Sequence, residues 1–259
     1  MTNLVIPMAG LGSRFTEAGY STAKPLLPIH ESLMYQVVLG NLFSPQLSSI
    51  SIVAPVHFEL ADTFGKKGMS IGGIRIRLIE IDYLTDGPAR TVSIALEDLE
   101  DDVPVLIANS DQYVELNSDD LYQRLIKTRA RGVIVAMEDD DPKWSFARVD
   151  DDGYVVEVAE KRVISRFATA GIYGFASASI LKEAIAAMEV QGDRTNGELY
   201  VAPAYNYLGS GSIPAAELIN LGPVGDVMHG LGVPADYESF LTKSVSRHAS
   251  NVAKALFQH

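Results

Sequence analysis

The residues best suited to chemistry stand in one short segment, LVIPMAGLGSRFTEAGYSTAKPLLPI, from Leu4 to Ile29. Leu4, Val5 and Ile6 read as a buried strand that Pro7 ends. Gly10 and Gly12 then permit backbone shapes and close approaches that a side chain forbids, so the loop Ala9, Gly10, Leu11, Gly12, Ser13 can turn its N–H groups toward an anion. Arg14 adds a planar fork of donors matched to phosphate oxygens, and Lys24, just before Pro25, adds a compact point charge. Together they make a phosphate cradle. The loop is neither of the standard phosphate signatures, because GLGSRF lacks the third glycine of GxGxxG and no GKS or GKT follows. On its own it is equally readable as a plain turn after a strand.

Four other places carry residues of the right type. Asp111 ends the apolar run VLIANSDQ, where a carboxylate suits Mg²⁺ held against phosphate oxygens, although an Asp that caps a turn is as common. Gly87 and Ala89 lie in TDGPART, either a helix start open to a flat base or an ordinary capped helix with Asp86 as N-cap; the local sequence favours the cap. Glu160 and Lys161 by themselves read as solvated surface charges. Gly171 falls on a following strand, and Glu198 reads as a first-turn acid favouring a helix dipole.

The elements that would position these residues alternate through the first half. Strands are predicted at Leu4–Pro7, Ile50–Ala54, Ile74–Glu80, Val103–Ala108 and Val133–Met137. Helices are predicted at Tyr35–Phe43, Phe58–Phe64, Ala89–Leu99 and Ser118–Arg131, the last with Ser118 as N-cap and Gly132 as stop. That order belongs to an α/β protein, with helices on both faces of a mostly parallel sheet. Farther on, Phe146–Val149 and Tyr154–Val158 flank Asp150-Asp151-Asp152-Gly153 as a hairpin, so the sheet should become mixed. A strand at Ala170–Phe175, helices at Ser179–Met188 and Glu198–Leu208, a strand at Glu217–Leu221 and a closing helix at Asp236–Leu256 complete the prediction. No repeat or long linker divides the chain, which reads as one domain, 1–259, in two halves, 1–140 and 141–259.

Composition sets limits on the partners. A formal charge of −12 opposes nucleic acid and anionic membrane surfaces, so an anionic ligand must meet a local cluster of cations. The absence of cysteine excludes disulfides, thiolate metal sites and a cysteine nucleophile. No apolar run reaches the ~20 residues of a membrane span, and no basic segment with an apolar stretch opens the sequence, so a cytoplasmic location is expected. Oligomeric state is open, a homo-oligomer included.

In its opening GxGxR loop and KP element the chain resembles the sugar-1-phosphate nucleotidylyltransferases, the NDP-sugar pyrophosphorylases. The resemblance implies their fold, a Rossmann-like three-layer α/β/α arrangement around a mixed, mostly parallel sheet. It also implies their reaction, the joining of an NTP to a phosphorylated small-molecule acceptor, foremost a sugar 1-phosphate, with release of pyrophosphate and with Mg²⁺ as cofactor. On that pattern Arg14, Lys24 and Asp111 are the catalytic residues, with Asp111 the metal ligand. Ala9 through Ser13, Gly87 and Ala89 touch the nucleotide; Glu160, Lys161, Gly171 and Glu198 hold the acceptor. The chain departs from the family's WxDxGTP element, where MHGLGVP places Gly230 at the position of the second metal-binding Asp. Asp226, four positions earlier, and His229 are the remaining candidates there, and a lone His in a glycine-rich loop also reads as structural. The alternatives are a cytidylyltransferase acting on a non-sugar phosphorylated metabolite, a nucleotide-sugar-dependent glycosyltransferase, and a non-catalytic nucleotide-binding regulator.

Overall fold

The structure, a computed structural model, describes residues 1–64, 69–209 and 211–257, leaving the side chains of 62 and 63 aside. The chain opens with β1 (Thr2–Pro7), the short helix α1 (Ser13–Glu17) and the small strands β2 (Pro28–Ile29) and β3 (Ser32–Leu33). It continues through α2 (Met34–Asn41), β4 (Leu47–Pro55), α3 (Leu60–Phe64), β5 (Met69–Ile71), β6 (Ile74–Ile81) and α4 (Pro88–Leu96). Next come β7 (Val105–Ala108), β8 (Gln112–Val114), α5 (Ser118–Lys127), β9 (Gly132–Glu138), and the hairpin of β10 (Ser145–Val149) and β11 (Tyr154–Glu160). The last elements are β12 (Phe167–Phe175), α6 (Ala178–Gln191), β13 (Ala216–Pro223), β14 (Met228–Gly230), α7 (Pro234–Thr242) and α8 (Ser244–Phe257).

Ten strands form one twisted sheet in the order β10-β11-β13-β9-β12-β7-β1-β4-β6-β5. By their pairings β1, β4, β6, β7, β9, β10 and β13 run one way, while β5, β11 and β12 run against them, a mixed and mostly parallel sheet. Alternation along each strand divides the core. Leu4 and Ile6 of β1 face a cluster with Tyr35, Leu39 and Leu121, whereas Val5 faces Val92, Leu181 and Ile185. Helices therefore cover both faces. A third cluster, built from Phe15, Leu27, Ile29, Val37, Tyr237, Phe240 and Ala253, packs α7 and α8 against the segment after β1. Gly40 makes that approach close, since an added Cβ there would lie 3.2 Å from Ala253 Cα. Among the described residues no helix is long and apolar enough to cross a membrane.

Several predicted boundaries move for identifiable reasons. Helix α5 is capped by Asn117, whose side chain accepts from the N–H groups of Asp119 and Asp120, while Ser118 Oγ donates to Phe43 O at 2.6 Å. That helix ends at Lys127, and Gly132 instead opens β9, where an added Cβ would collide with Gly174 O. The predicted helix over Glu198–Leu208 shrinks to a 3₁₀ turn at Ala202–Tyr207, because the backbone of Leu199 is taken by tertiary bonds. Its N–H donates to Asp86 O at 2.8 Å and its carbonyl accepts from Ala89 N–H at 2.9 Å. The closing helix breaks in two at Lys243, which is extended (φ −79°, ψ 145°). Gly87, not Asp86, is the N-cap residue of α4, and Asp86 pairs instead with Arg90 and Arg194.

Tyr205 ties the 3₁₀ turn to the middle of the sheet. Its ring stacks on Phe175 and its buried O–H is shared between Val133 O (2.8 Å) and Gly174 O (2.9 Å). Tyr205→Phe keeps the ring and strips both carbonyls of their donor, so urea unfolding should show a loss of about 1–2 kcal/mol. An unchanged midpoint would contradict this role.

Candidate active site

In a sheet of this kind ligands meet the carboxyl ends of the parallel strands. Here β1 and β7 are parallel neighbours, so the loop after Pro7 and the turn carrying Asp111 emerge side by side. Gly12 bends the first loop in the left-handed region (φ 62°), and Phe15 anchors it edge-on against Tyr20 and Tyr237. Among the described residues, no backbone hydrogen bond takes up the N–H groups of Gly10, Leu11, Gly12 or Ser13. Lys24 begins a 3₁₀ turn closed by Leu27 N–H donating to its carbonyl, and its Nζ reaches Asp111 Oδ2 at 2.7 Å. Both charges are partly buried. Two glycines make room for the pair: an added Cβ at Gly12 would lie 3.4 Å from Lys24 Cβ, and one at Gly232 would lie 3.0 Å from Asp111 Oδ2. Gly232 arrives there because β14 pairs antiparallel with β8 and Leu231 N–H donates to Asp111 O.

The residues expected to hold the acceptor come from the other half of the sheet. Strand β12 bulges at Gly171 (φ 66°), whose carbonyl accepts from Asn109 N–H and Gln112 Nε2; a Cβ there would strike both side chains. Glu160 ends β11 and takes a hydrogen bond from Ser145 Oγ. Lys161 follows in left-handed backbone (φ 53°), and its Nζ donates to Tyr200 Oη at 2.6 Å. Tyr200 in turn donates to Glu198 Oε2 at 2.6 Å. Burial first, and then the bond to Glu198, raise the Tyr200 hydroxyl above its ordinary range, whereas the charge of Arg14 acts in the opposite sense. Lys161, Tyr200 and Glu198 thus form one chain of hydrogen bonds. The segment around Gly87 joins that chain, since Gly87 (φ 132°) lies so close to Leu199 that any Cβ would overlap its backbone.

Three expected residues stand differently. Ala89 is fully buried and its N–H donates to Leu199 O, which ties the start of α4 to the Glu198–Tyr200 segment. Asp226 is exposed on the turn between β13 and β14, with no bond to Asp111 among the described residues. His229 packs on Tyr113 and Phe240 with Nδ1 at 3.2 Å from Lys243 Nζ and Nε2 at 3.6 Å from Glu115. Burial and then the Lys243 charge lower its pKa, with Glu115 opposing. The sequence reading passed over Gly232 and Tyr200. Gly232 carries no signal beyond a second glycine in GLG, and Tyr200 shows only as an aromatic two positions after Glu198.

Among the described residues no cluster of three or more His, Cys, Asp or Glu could cage a metal. One carboxylate beside the cradle nevertheless fits Mg²⁺, which keeps most of its waters and is commonly held by one or two carboxylates plus substrate phosphates. Asp111 Oδ1 is free of protein hydrogen bonds among the described residues.

A family model described as nucleotidyl transferase matches residues 4–203. The chain belongs to the nucleotidyl transferase family. Its fold is that of solved members. A nucleoside-diphosphate-sugar pyrophosphorylase from Vibrio cholerae superposes with TM-score 0.79 at 24% identity, over 93% of this chain and 100% of that one. A putative glucose-1-phosphate thymidylyltransferase from Bacillus anthracis gives 0.72 at 16% identity, over 98% and 96%. The inositol-1-phosphate CTP transferase from T. maritima gives 0.70 at 10%, over 98% and 96%. No curated protein matches the sequence. Residues 204–259, beyond the family match, supply β13 inside the sheet and bring Gly232 onto Asp111.

Burial raises the Glu160 carboxyl above the ordinary glutamate value, the charge of Glu198 adds to this, and Ser145 and Lys161 oppose it. The folded state thus holds that proton more tightly than the unfolded chain. Its contribution to stability is present below the unfolded glutamate pKa and is lost as pH rises through the folded one. Glu160→Gln cannot ionise, so it should gain stability relative to the parent between about pH 4 and pH 7. Parallel unfolding curves at the two pH values would contradict the assignment.

Proposed function

We propose that the protein transfers a nucleotidyl group from an NTP to a phosphorylated small molecule, most simply a sugar 1-phosphate, releasing pyrophosphate. The observation that carries this reading is the meeting of an N–H-lined glycine loop, Lys24 and Asp111 at one sheet edge, in a chain that also ties Lys161, Tyr200 and Glu198 into one hydrogen-bonded set. An oxygen of the acceptor phosphate attacks the α-phosphorus in line; a new P–O bond forms as the bond to the β-phosphate oxygen breaks and pyrophosphate leaves. Such a transfer needs positioning and neutralised charge more than a covalent catalyst.

In this reading the loop Ala9–Ser13 and Arg14 receive the triphosphate, and Lys24 offsets charge near the α-phosphate. Lys161 restrains the acceptor phosphate, and Glu160 and Glu198 accept from acceptor hydroxyls. Gly87 gives the base a flat approach. Mg²⁺ would be held by Asp111 and would neutralise phosphate charge. The cytoplasm, where NTP is abundant, is the expected setting.

A matrix of NTPs against sugar 1-phosphates, polyol phosphates and other phosphorylated metabolites, read as pyrophosphate, tests the reading. Pyrophosphate that requires both substrates is the expected result. Nucleoside diphosphate formed from NTP would mean phosphoryl transfer, its release from an added NDP-sugar would mean a glycosyltransferase, and thermal stabilisation by NTP without turnover would mean a binding protein. Lys24→Ala should lower kcat/KM by on the order of 2–4 kcal/mol with an ordinary unfolding transition. Near-normal pyrophosphate release by that variant would remove Lys24 from the chemistry.

A further inference from the structure

Lys161 is held at both ends. Its N–H donates to Trp144 O at 3.0 Å while its backbone sits in the left-handed region (φ 53°), an arrangement uncommon for a residue with a side chain. Its Nζ donates to Tyr200 Oη at 2.6 Å and lies 4.6 Å from the centre of the Tyr200 ring. The hydroxyl that accepts from Lys161 spends its own proton on Glu198 Oε2 at 2.6 Å, which fixes the direction of both bonds. Tyr200 is itself fixed through its neighbour, because Leu199 exchanges backbone bonds with Asp86 and Ala89 on either side of Gly87.

From these contacts we propose that Tyr200 is the positioning residue that aims Lys161 at the acceptor phosphate. The proposal rests on the acceptor-clamp reading of Lys161 given above. An ammonium has three donors, and one bond to Tyr200 leaves two for phosphate oxygens, so the tether persists while substrate is bound. A free lysine must give up rotamer freedom on binding; one already tethered by a hydroxyl and an aromatic face gives up less. The hydroxyl also stands between Lys161 and Glu198, instead of letting the cation collapse into a direct Lys161–Glu198 pair that would withdraw its charge from the substrate.

The test uses the full-length enzyme with an NTP and acceptor that yield pyrophosphate. Tyr200→Phe removes the hydroxyl and keeps the ring. It should raise the acceptor KM about tenfold, the weight of one charge-assisted hydrogen bond, and leave the NTP KM within about twofold. Tyr200→Leu, which also removes the ring, should raise it further. In a Lys161→Ala background, Tyr200→Phe should add less than about twofold, since the two act as one unit. An unchanged acceptor KM in Tyr200→Phe, alongside a raised one in Lys161→Ala, would overturn the proposal alone. So would equal rises in both KM values with a lowered Tm, the mark of a merely structural tyrosine. An acceptor KM unmoved by Lys161→Ala would overturn the clamp reading itself.

Discussion

Lys24 and Asp111 meet at 2.7 Å with both side chains mostly out of water, and the site is organised around the demands of that pair. Burying two charges costs desolvation that their attraction offsets only with good geometry, and removing one partner strands the other. The chain meets this demand with three separate segments. The loop after β1 bends at Gly12 beside Lys24, the end of β7 delivers Asp111, and the returning β14 lays Gly232 against the carboxylate. Gly232 leaves little room for bulk against the carboxylate, and Gly12 is required by its left-handed backbone. A parallel β1–β7 neighbourhood is what makes the meeting feasible, because it sets both strand ends at the same edge of the sheet.

The Lys161–Tyr200–Glu198 chain follows a different logic, since its three groups are joined by hydrogen bonds between side chains, while Glu160 at the end of β11 is held separately by Ser145. Glu160, Lys161, Glu198 and Tyr200 come from a hairpin end and a loop, and each takes its place from a neighbour. Leu199 is the structural keystone, with its backbone spent on the segment around Gly87. The segment around Gly87 and the segment from Glu198 to Tyr200 are consequently one connected body, although residues 87 and 199 are far apart in the chain. The C-terminal helices serve the cradle from below, through Phe15, Tyr237 and Phe240.

Most of the sheet was legible in the sequence because buried strands write continuous apolar runs, as at Leu4–Pro7 and Val133–Met137, while the half-buried Ile74–Glu80 writes an alternation with Arg75 and Arg77. Short strands such as β8 and β14 were not, for they contain three residues each and are defined by pairing partners that local pattern cannot reveal. The helix expected over Glu198–Leu208 failed for the same reason: tertiary bonds to Leu199 outweighed local spacing. The GxGxR loop pointed to phosphate only in company with Lys24-Pro25 and the family order, because a Gly-x-Gly after a strand reads equally as a plain turn. Tyr200 and Gly232 were not, because a tyrosine that holds a lysine and a glycine that makes room for a carboxylate look ordinary until their neighbours are in place. His229 illustrates the reverse, a residue of suggestive type that proves to be packed between aromatic rings and paired to Lys243.

If the Lys24–Asp111 centre receives the α-phosphate side of a triphosphate, the fate of that phosphorus decides the matter. The most direct measurement follows the reaction with NTP labelled at the α-phosphate, and in parallel at the γ-phosphate, using an acceptor that supports turnover. The α-label should appear in the joined product and the γ-label in free pyrophosphate. A γ-label carried to the acceptor, with the α-label left in a nucleoside diphosphate, would make the site one for phosphoryl transfer and would contradict the nucleotidyl-transfer chemistry inferred here.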